Sequence, residues 1–145
     1  MIRALKNADI DAVATLSLTT FSDGWNADMI AGSFSQDGFL GWVVEEDGKI
    51  VSAVATSHLF DEGEVLFIVT DKNYQRQGLA NALLKTAINE LVNRGVKSIF
   101  LEVRKSNVGA INLYELNGFT KIAEREKYYG DETAVIMLFE NTNSI

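Results

Sequence analysis

Apolar residues recur every three or four positions in four segments of the chain, the spacing of one face of an α-helix. The segments cover residues 7–18, 26–35, 79–93 and 107–117. Asn7 is of the residue type that caps a helix start, and Gly95 and Gly118 follow two segments where glycine commonly ends a helix. The pattern therefore predicts four helices.

Runs of β-branched and aromatic residues alternate with these helices and cover residues 39–45, 49–57, 64–70, 98–103, 120–125 and 133–139. Glu46-Asp47-Gly48 between the first two runs is a turn sequence, which predicts a hairpin. Residues 64–70 are almost continuously apolar, as in a strand buried on both faces. We therefore expect a mixed α/β sheet with this strand near its centre.

A polar turn, Tyr74-Gln75-Arg76-Gln77-Gly78-Leu79-Ala80-Asn81, joins that central strand to the long helix. The first amides of a helix lack intrahelical partners, and the helix dipole adds partial positive charge there, so such a turn can bind an anion. Arg76 adds a full positive charge. The turn is a candidate phosphate site, although a glycine between strand and helix often serves only the backbone geometry.

Known nucleotide motifs do not match this turn. It has no Gly-Lys-Ser/Thr of a Walker loop and lacks the three glycines of a dinucleotide fingerprint. The sequence therefore disfavours ATP and NAD as ligands.

Gln75-Arg76-Gln77-Gly78-Leu79-Ala80 instead resembles the Arg/Gln-x-x-Gly-x-Gly/Ala signature of the GNAT superfamily of N-acetyltransferases. The resemblance runs over about residues 64–140 and is nearest to RimI-like ribosomal-protein alanine N-acetyltransferases. Further segments match in order and spacing: Leu101-Glu102-Val103-Arg104, Ser106-Asn107, Leu113-Tyr114-Glu115-Leu116-Asn117-Gly118-Phe119 and Tyr128-Tyr129.

This resemblance implies a GNAT fold over a single domain, residues 1–145, with a sheet of six to seven strands and about four helices. A splay between the two central parallel strands would hold acetyl-CoA, the implied co-substrate. The implied cofactor-binding residues are the backbone of Ile68, Val69 and Thr70 for the pantetheine arm, then Arg76, Gln77, Gly78, Leu79, Ala80 and Asn81 for the pyrophosphate, and Asn107 on the next helix.

Glu102 is the candidate general base. A carboxylate inside the apolar run of residues 98–103 is costly unless it is paired, hydrated or used in chemistry. The alternative is a strand-end glutamate that pairs with Arg104 or reaches solvent. The resemblance favours the base, acting through an ordered water.

Tyr114 is the candidate general acid, because a phenol can protonate the thiolate of CoA as it leaves. Alternatively, a tyrosine on an amphipathic helix is a core residue with a hydrogen-bonded hydroxyl. The resemblance favours the acid role, and with Glu102 it implies direct transfer from acetyl-CoA to a bound amine.

The acceptor is the least defined part of the site. Trp25, Tyr128 and Tyr129 are candidate acceptor-binding residues. Packing is the favoured role of Trp25 and of Trp42, with the acceptor groove as the alternative for Trp25, and the tyrosine pair can equally cover a sheet edge. His58, the only histidine, is expected in solvent beside an acidic turn, with a role as base left as an alternative.

Composition narrows the class of protein further. The net charge of -7 disfavours nucleic acid and favours a basic partner. No cysteine is present, which excludes disulfides and an acyl-cysteine intermediate, and one histidine does not suggest a metal site. No apolar run approaches the ~20 residues of a membrane span, so we expect a cytoplasmic protein without a membrane partner.

Together these features predict an acetyl-CoA-dependent N-acetyltransferase that acts on a primary amine, most simply the N-terminal alanine of a ribosomal protein. Two alternatives remain at this point: an acetyltransferase for a small amine or polyamine, and a non-catalytic CoA-binding module.

Overall fold

The computed structural model describes residues 1–126 and 132–141. These residues form seven strands: β1 (Ile2–Ala4), β2 (Phe39–Glu46), β3 (Lys49–Leu59), β4 (Glu62–Thr70), β5 (Ser98–Arg104), β6 (Thr120–Glu126) and β7 (Thr133–Glu140). They also form four α-helices: α1 (Ile10–Thr20), α2 (Ala27–Phe34), α3 (Leu79–Asn93) and α4 (Val108–Leu116). The predicted mixed α/β architecture is confirmed.

All described strands join one sheet in the order β1-β2-β3-β4-β5-β7-β6, which places β4 in the middle as predicted. Among the described strands only β4 and β5 pair in parallel, and their pairing covers Glu62–Glu64 against Ser98–Phe100. Beyond that point each strand continues for several residues without the other as a ladder partner. The two central strands therefore diverge, which is the predicted splay.

A bulge in β4 lies just where the divergence begins. Ala55 on β3 pairs with Phe67, whereas the next residue, Thr56, pairs with Val65, so Leu66 is the extra residue of the bulge. A bulge bends its strand and increases the local twist. The bend carries the end of β4 away from β5.

Two apolar cores lie on opposite faces of the sheet. One packs α3 and α4 against the sheet around Leu83, Leu91, Ile99 and Phe119. The other packs α1 and α2 against the strands on the β1 side of the sheet, around Val13, Ile30, Val43 and Val69.

Several local expectations needed correction. Asn7 does not cap the first helix, because it opens a short 3₁₀ turn, Asn7–Asp9, and α1 begins only at Ile10. β1 was not predicted, since three residues are too few to show a period. β4 is not buried on both faces; Phe67 and Ile68 are half-buried because the open splay lies beside them.

The N-terminal strand is held by an ion-pair network centred on Arg3. Its two terminal nitrogens donate to the Asp9 carboxylate at 2.7 and 2.9 Å, and its Nε donates to Glu45 Oε1 at 2.8 Å. Asp9 also accepts from the backbone N–H of Lys6 at 2.7 Å. Chiefly through the Arg3 hydrogen bonds, this network lowers the pKa of the Asp9 carboxyl.

Replacing Asp9 by asparagine should lower the free energy of unfolding by roughly 1–3 kcal/mol near neutral pH, because a buried charged hydrogen-bond group is lost. A depressed carboxyl pKa stabilises the fold above the unfolded-state value, near 3.8, and this contribution disappears as pH falls through the lower folded-state value. The gap between wild type and Asp9→Asn should therefore close in acid.

Urea unfolding at neutral and acidic pH measures this gap. Asp11→Asn, at an exposed position in the first turn of α1, is the matched control and should change the free energy of unfolding by only a few tenths of a kcal/mol. A gap that stays constant from neutral pH to strong acid would contradict the assignment to the Asp9 charge.

Candidate active site

A cleft of about 620 Å³ opens at the splay between β4 and β5. Its walls come from the diverging strands, the turn before α3, the inner face of α4 and the loop between α1 and α2. Most of the residues predicted for the site line this cleft: Trp25, Ile68, Val69, Thr70, Arg76, Gly78, Leu79, Ala80, Asn81, Glu102, Asn107 and Tyr114. The cleft is therefore the candidate active site.

The end of β4 forms one long wall. Ile68, Val69 and Thr70 pair with β3 on one side, while on the other side the ladder to β5 has already ended at Glu64. An exposed strand edge presents backbone donors and acceptors that an extended ligand can pair with. This wall suits a long, flexible ligand bearing amide groups.

The turn before α3 has the backbone geometry of an anion site. Arg76 and Gly78 both have positive φ, 66° and 81°, and Gly78 is the N-cap of the helix. The first helical hydrogen bond runs from Ala82 N–H to the Gly78 carbonyl, so the amides of the first turn lack intrahelical partners. No acidic side chain lies in that first turn to compete for them.

Two polar side chains of α4 face the same cleft. Asn107 is the N-cap of α4, and its Oδ1 accepts from Ala110 N–H at 3.1 Å. Tyr114 lies seven residues later, two helical turns and about 10 Å along the axis. The prediction that one face of this helix serves one ligand is consistent with both residues lining the cleft.

Tyr114 is 6% exposed and packs edge-on against Phe119, with ring centroids 5.7 Å apart. Burial raises the pKa of its phenol well above the ordinary value of 10.0, so the hydroxyl keeps its proton at neutral pH. Within residues 1–126 and 132–141 no side-chain hydrogen bond of that hydroxyl is found. The group thus lines the cleft with its proton available for donation.

Glu102 projects from β5, and its side chain is 29% exposed. Arg125 on β6 donates to its Oε2 at 2.5 Å, whereas Arg104, the partner named in the structural alternative, pairs with Asp23 and Glu132. A carboxylate has about four lone-pair positions. Glu102 can therefore pair with Arg125 and still accept a proton from a group in the cleft.

A second acidic residue, Glu64, lies on the neighbouring strand at the last paired position before the splay. Partial burial raises the pKa of its carboxyl, and repulsion from Glu102 raises it further. Glu64 does not line the cleft.

Arg104 connects the two segments that flank the Glu102 end of the cleft. Its Nη2 donates to Asp23 in the α1–α2 loop at 2.8 Å, and its Nη1 donates to Glu132, just before β7, at 2.7 Å. Glu132 also accepts from Ser106, a bond that lowers the pKa of Glu132 together with the Arg104 contact. The network joins the α1–α2 loop to the residue just before β7.

Comparison with known proteins places this architecture in a family. The family model described as "Acetyltransferase (GNAT) family" matches residues 10–119, most of the chain. The chain belongs to the GNAT family of acetyltransferases.

Individual relatives agree with that assignment. The acetyltransferase is 36% identical over 140 residues to the ribosomal protein bS18 alanine N-acetyltransferase of Escherichia coli strain K12, covering 94% of each chain. The crystal structure of the ribosomal-protein-S18-alanine N-acetyltransferase from Escherichia coli superposes with a TM-score of 0.89 at 33% identity, covering 100% of this chain and 98% of that one. The crystal structure of Ard1 from Thermoplasma volcanium superposes with a TM-score of 0.86 at 25% identity, covering 97% of this chain and 96% of that one.

The acceptor side of this acetyltransferase is only partly described. Trp25 lines the cleft, its ring packs against Phe67 at 5.4 Å, and its backbone N–H donates to Ser17 Oγ at 2.8 Å. Tyr128 and Tyr129 lie outside the described residues. Their role at the acceptor entrance stays a prediction.

The structure also gives the positions of three other residues of the acetyltransferase that the sequence singled out. Gln77 does not line the cleft, although it lies within the predicted pyrophosphate turn. Trp42 packs against the α3 core, as the packing alternative expected. His58 is half-buried rather than in solvent, its Nδ1 has no hydrogen-bond partner among the described residues, and it lies off the cleft.

Among residues 1–126 and 132–141, His, Asp and Glu side chains form no group of three or more that could hold a metal ion. Within the same residues, no helix is long and apolar enough to cross a membrane.

The sequence did not single out two cleft residues that hold other parts of the site in place. Ser17 holds the backbone of Trp25, and Asp23 holds Arg104 across 81 positions of sequence. Neither residue stands out by type or spacing. Only Arg104 carried a signal, as part of the matched segment at residues 101–104.

Proposed function

We propose that this acetyltransferase transfers the acetyl group of acetyl-CoA to the N-terminal α-amine of a protein, with an alanine-first ribosomal protein as acceptor. The observation that carries the proposal is the full-length likeness to the Escherichia coli bS18-alanine enzyme, over 94% of both chains. The cleft supports it, because its polar groups meet the needs of amine acetylation.

The cofactor end of the proposal rests on the turn before α3 and the edge of β4. The unpartnered amides after Gly78 and the charge of Arg76 suit the pyrophosphate of CoA. The free edge at Ile68, Val69 and Thr70 suits the two amides of the pantetheine arm. Both features border one cleft, so a single extended thioester can reach from one to the other.

The chemistry rests on Glu102 and Tyr114. Glu102 accepts a proton from the amine, directly or through a water, as the nitrogen attacks the thioester carbonyl carbon and a C–N bond forms. Tyr114 donates its phenolic proton to the sulfur as the C–S bond breaks. The products are the acetylated amine and free CoA, and no covalent enzyme intermediate is required.

The proposal of a protein N-terminus as acceptor rests on the net charge of the chain and on the access of the cleft to solvent. The chain carries a net charge of -7, which favours approach of a basic N-terminal segment. The cleft reaches solvent at Asp23, whose side chain is 57% exposed and which lies on the same loop as Trp25. An N-terminus can therefore enter with the rest of its protein outside.

Release of free CoA from acetyl-CoA is the decisive assay. Parallel reactions should contain an alanine-first basic peptide, the same peptide with a blocked N-terminus, and spermidine. We expect turnover with the free peptide and none with the blocked one. Turnover with spermidine alone would move the activity to small amines, and tight CoA binding with no turnover for any acceptor would leave a binding module.

Gly78→Ala tests the pyrophosphate turn. At φ 81° an added Cβ meets no atom within 4 Å, so the cost is the backbone strain of a left-handed residue, about 1–2 kcal/mol. We expect a lower free energy of unfolding and a Kd for CoA raised about tenfold, since relaxing this strain moves the first-turn amides.

Gly32→Ala is the matched control, because Gly32 lies within α2 and an added Cβ there also meets nothing within 4 Å. Alanine is the better helix former by about 0.5–1 kcal/mol, so this variant should be more stable and bind CoA normally. Calorimetric titration with CoA checks both variants. Unchanged CoA affinity in Gly78→Ala would remove the turn from the proposed site.

A further inference from the structure

A hydrogen bond joins the two helices that border the cleft at its proposed pyrophosphate end. Asn117, the C-cap of α4, donates from Nδ2 to the Oδ1 of Asn81, on the first turn of α3, at 2.9 Å. The same Nδ2 donates to the Leu113 carbonyl, also at 2.9 Å. Asn81 lines the cleft, whereas Asn117 does not.

This geometry determines which way both amides point. The Leu113 carbonyl can only accept, so the group of Asn117 that contacts it is the NH₂. That NH₂ then requires an acceptor from Asn81, which must be the amide oxygen. The remaining group of Asn81, its Nδ2, is a donor with no acceptor among the side-chain bonds of the described residues.

The orientation matters because of what Asn81 adjoins. It is the third residue of α3, and its own N–H is the last of the unpartnered amides that follow Gly78. An amide NH₂ extends this set of donors, whereas an amide oxygen in its place would repel a phosphate. An asparagine without a fixed partner can turn its amide by half a rotation at little cost.

We propose that Asn117 is a positioning residue that holds the Asn81 amide with Nδ2 available to the pyrophosphate, and so makes the site selective for CoA over thioesters of pantetheine. The inference rests on the proposed CoA site. Asn117 acts through Asn81 and touches no substrate itself.

Three variants test the arrangement. Asn117→Ala removes the partner of Asn81. Asn117→Asp replaces the donor by a carboxylate, which attracts the Asn81 NH₂ and leaves the oxygen facing the site. Asn112→Asp is the matched control, because Asn112 is exposed on the same helix and gains the same charge away from Asn81.

Binding should be measured by calorimetry with CoA, with dephospho-CoA and with pantetheine. We expect Asn117→Ala to raise the Kd of CoA and of dephospho-CoA about tenfold, typical of losing one hydrogen bond to a charged group, and that of pantetheine less than about twofold. Asn117→Asp should raise the Kd of CoA and of dephospho-CoA, the two ligands with a pyrophosphate, more than Asn112→Asp does.

A double-mutant cycle completes the test. In an Asn81→Ala background, Asn117→Ala should have no further effect on CoA affinity, because the residue through which it acts is gone. Equal weakening of all three ligands would mean that Asn117 only supports the fold, and unchanged CoA affinity would also overturn the inference. If the wild-type protein does not bind CoA, the proposed function itself is wrong.

Discussion

Replacing Glu102 by glutamine is expected to lower kcat for peptide acetylation by about 100-fold to 10,000-fold, the range of a lost general base. Glutamine keeps the size of the side chain and can still contact Arg125, but it cannot take the proton from the amine. Affinity for CoA should stay within about twofold, because Glu102 lies on β5, away from the turn before α3. Steady-state kinetics and CoA titration measure the two effects.

Glu115→Gln is the matched control for this experiment, since Glu115 is exposed on α4 and does not line the cleft. It should retain wild-type kcat. If Glu102→Gln loses less than about tenfold in kcat, Glu102 has only the structural role of pairing with Arg125, and another base must be sought. A pH profile of kcat separates these cases, because loss of the base removes its ionisation from the profile.

Replacing Tyr114 by phenylalanine should lower kcat by about 100-fold while leaving the fold intact. The ring, which packs against Phe119, is preserved, and the hydroxyl makes no side-chain hydrogen bond among the described residues that its removal would break. Thermal unfolding should therefore change little. Initial rates of CoA release at saturating acetyl-CoA measure the decrease in kcat.

The pH dependence supplies an independent check on Tyr114. Burial raises the pKa of the phenol above the ordinary value of 10.0, so the acid stays protonated well into the alkaline range. We expect the rate of the wild type to persist to higher pH than an unperturbed phenol would allow. A Tyr114→Phe variant with wild-type kcat would show that the tyrosine only fills the core.

Periodic elements were predictable because the signals that specify them are local. The helix predicted over residues 79–93 is α3, Leu79–Asn93, and both glycines predicted to end helices have the expected positive φ, 91° at Gly95 and 94° at Gly118. Asp47 and Gly48 form the predicted hairpin turn, also with positive φ. Each of these features depends on residues within about one turn of the position itself.

Elements without a local sequence signal were either not predicted or predicted with the wrong boundary. The three residues of β1 are too short for any period and pair only because β2 offers an edge. Asn7 has the residue type of a helix cap, but α1 begins only after Asp9. The Asp9 carboxylate accepts hydrogen bonds from Arg3 and from the Lys6 backbone N–H, and these contacts hold the chain just before the helix. A cap depends on where the helix docks as well as on residue type.

By itself the sequence determined the order along the chain of the four helices and of the strands after β1, the phosphate-type turn before α3 and the family resemblance, because these depend on residue type and short spacing. Only the tertiary structure decided which distant residues meet. The bulge at Leu66 and the early end of the β4–β5 ladder open the cleft, and Arg125 rather than Arg104 pairs with Glu102. The Asn81–Asn117 bond spans 36 positions. Such contacts depend on strand register and helix docking, which the packing of the whole core specifies and no short stretch of sequence encodes.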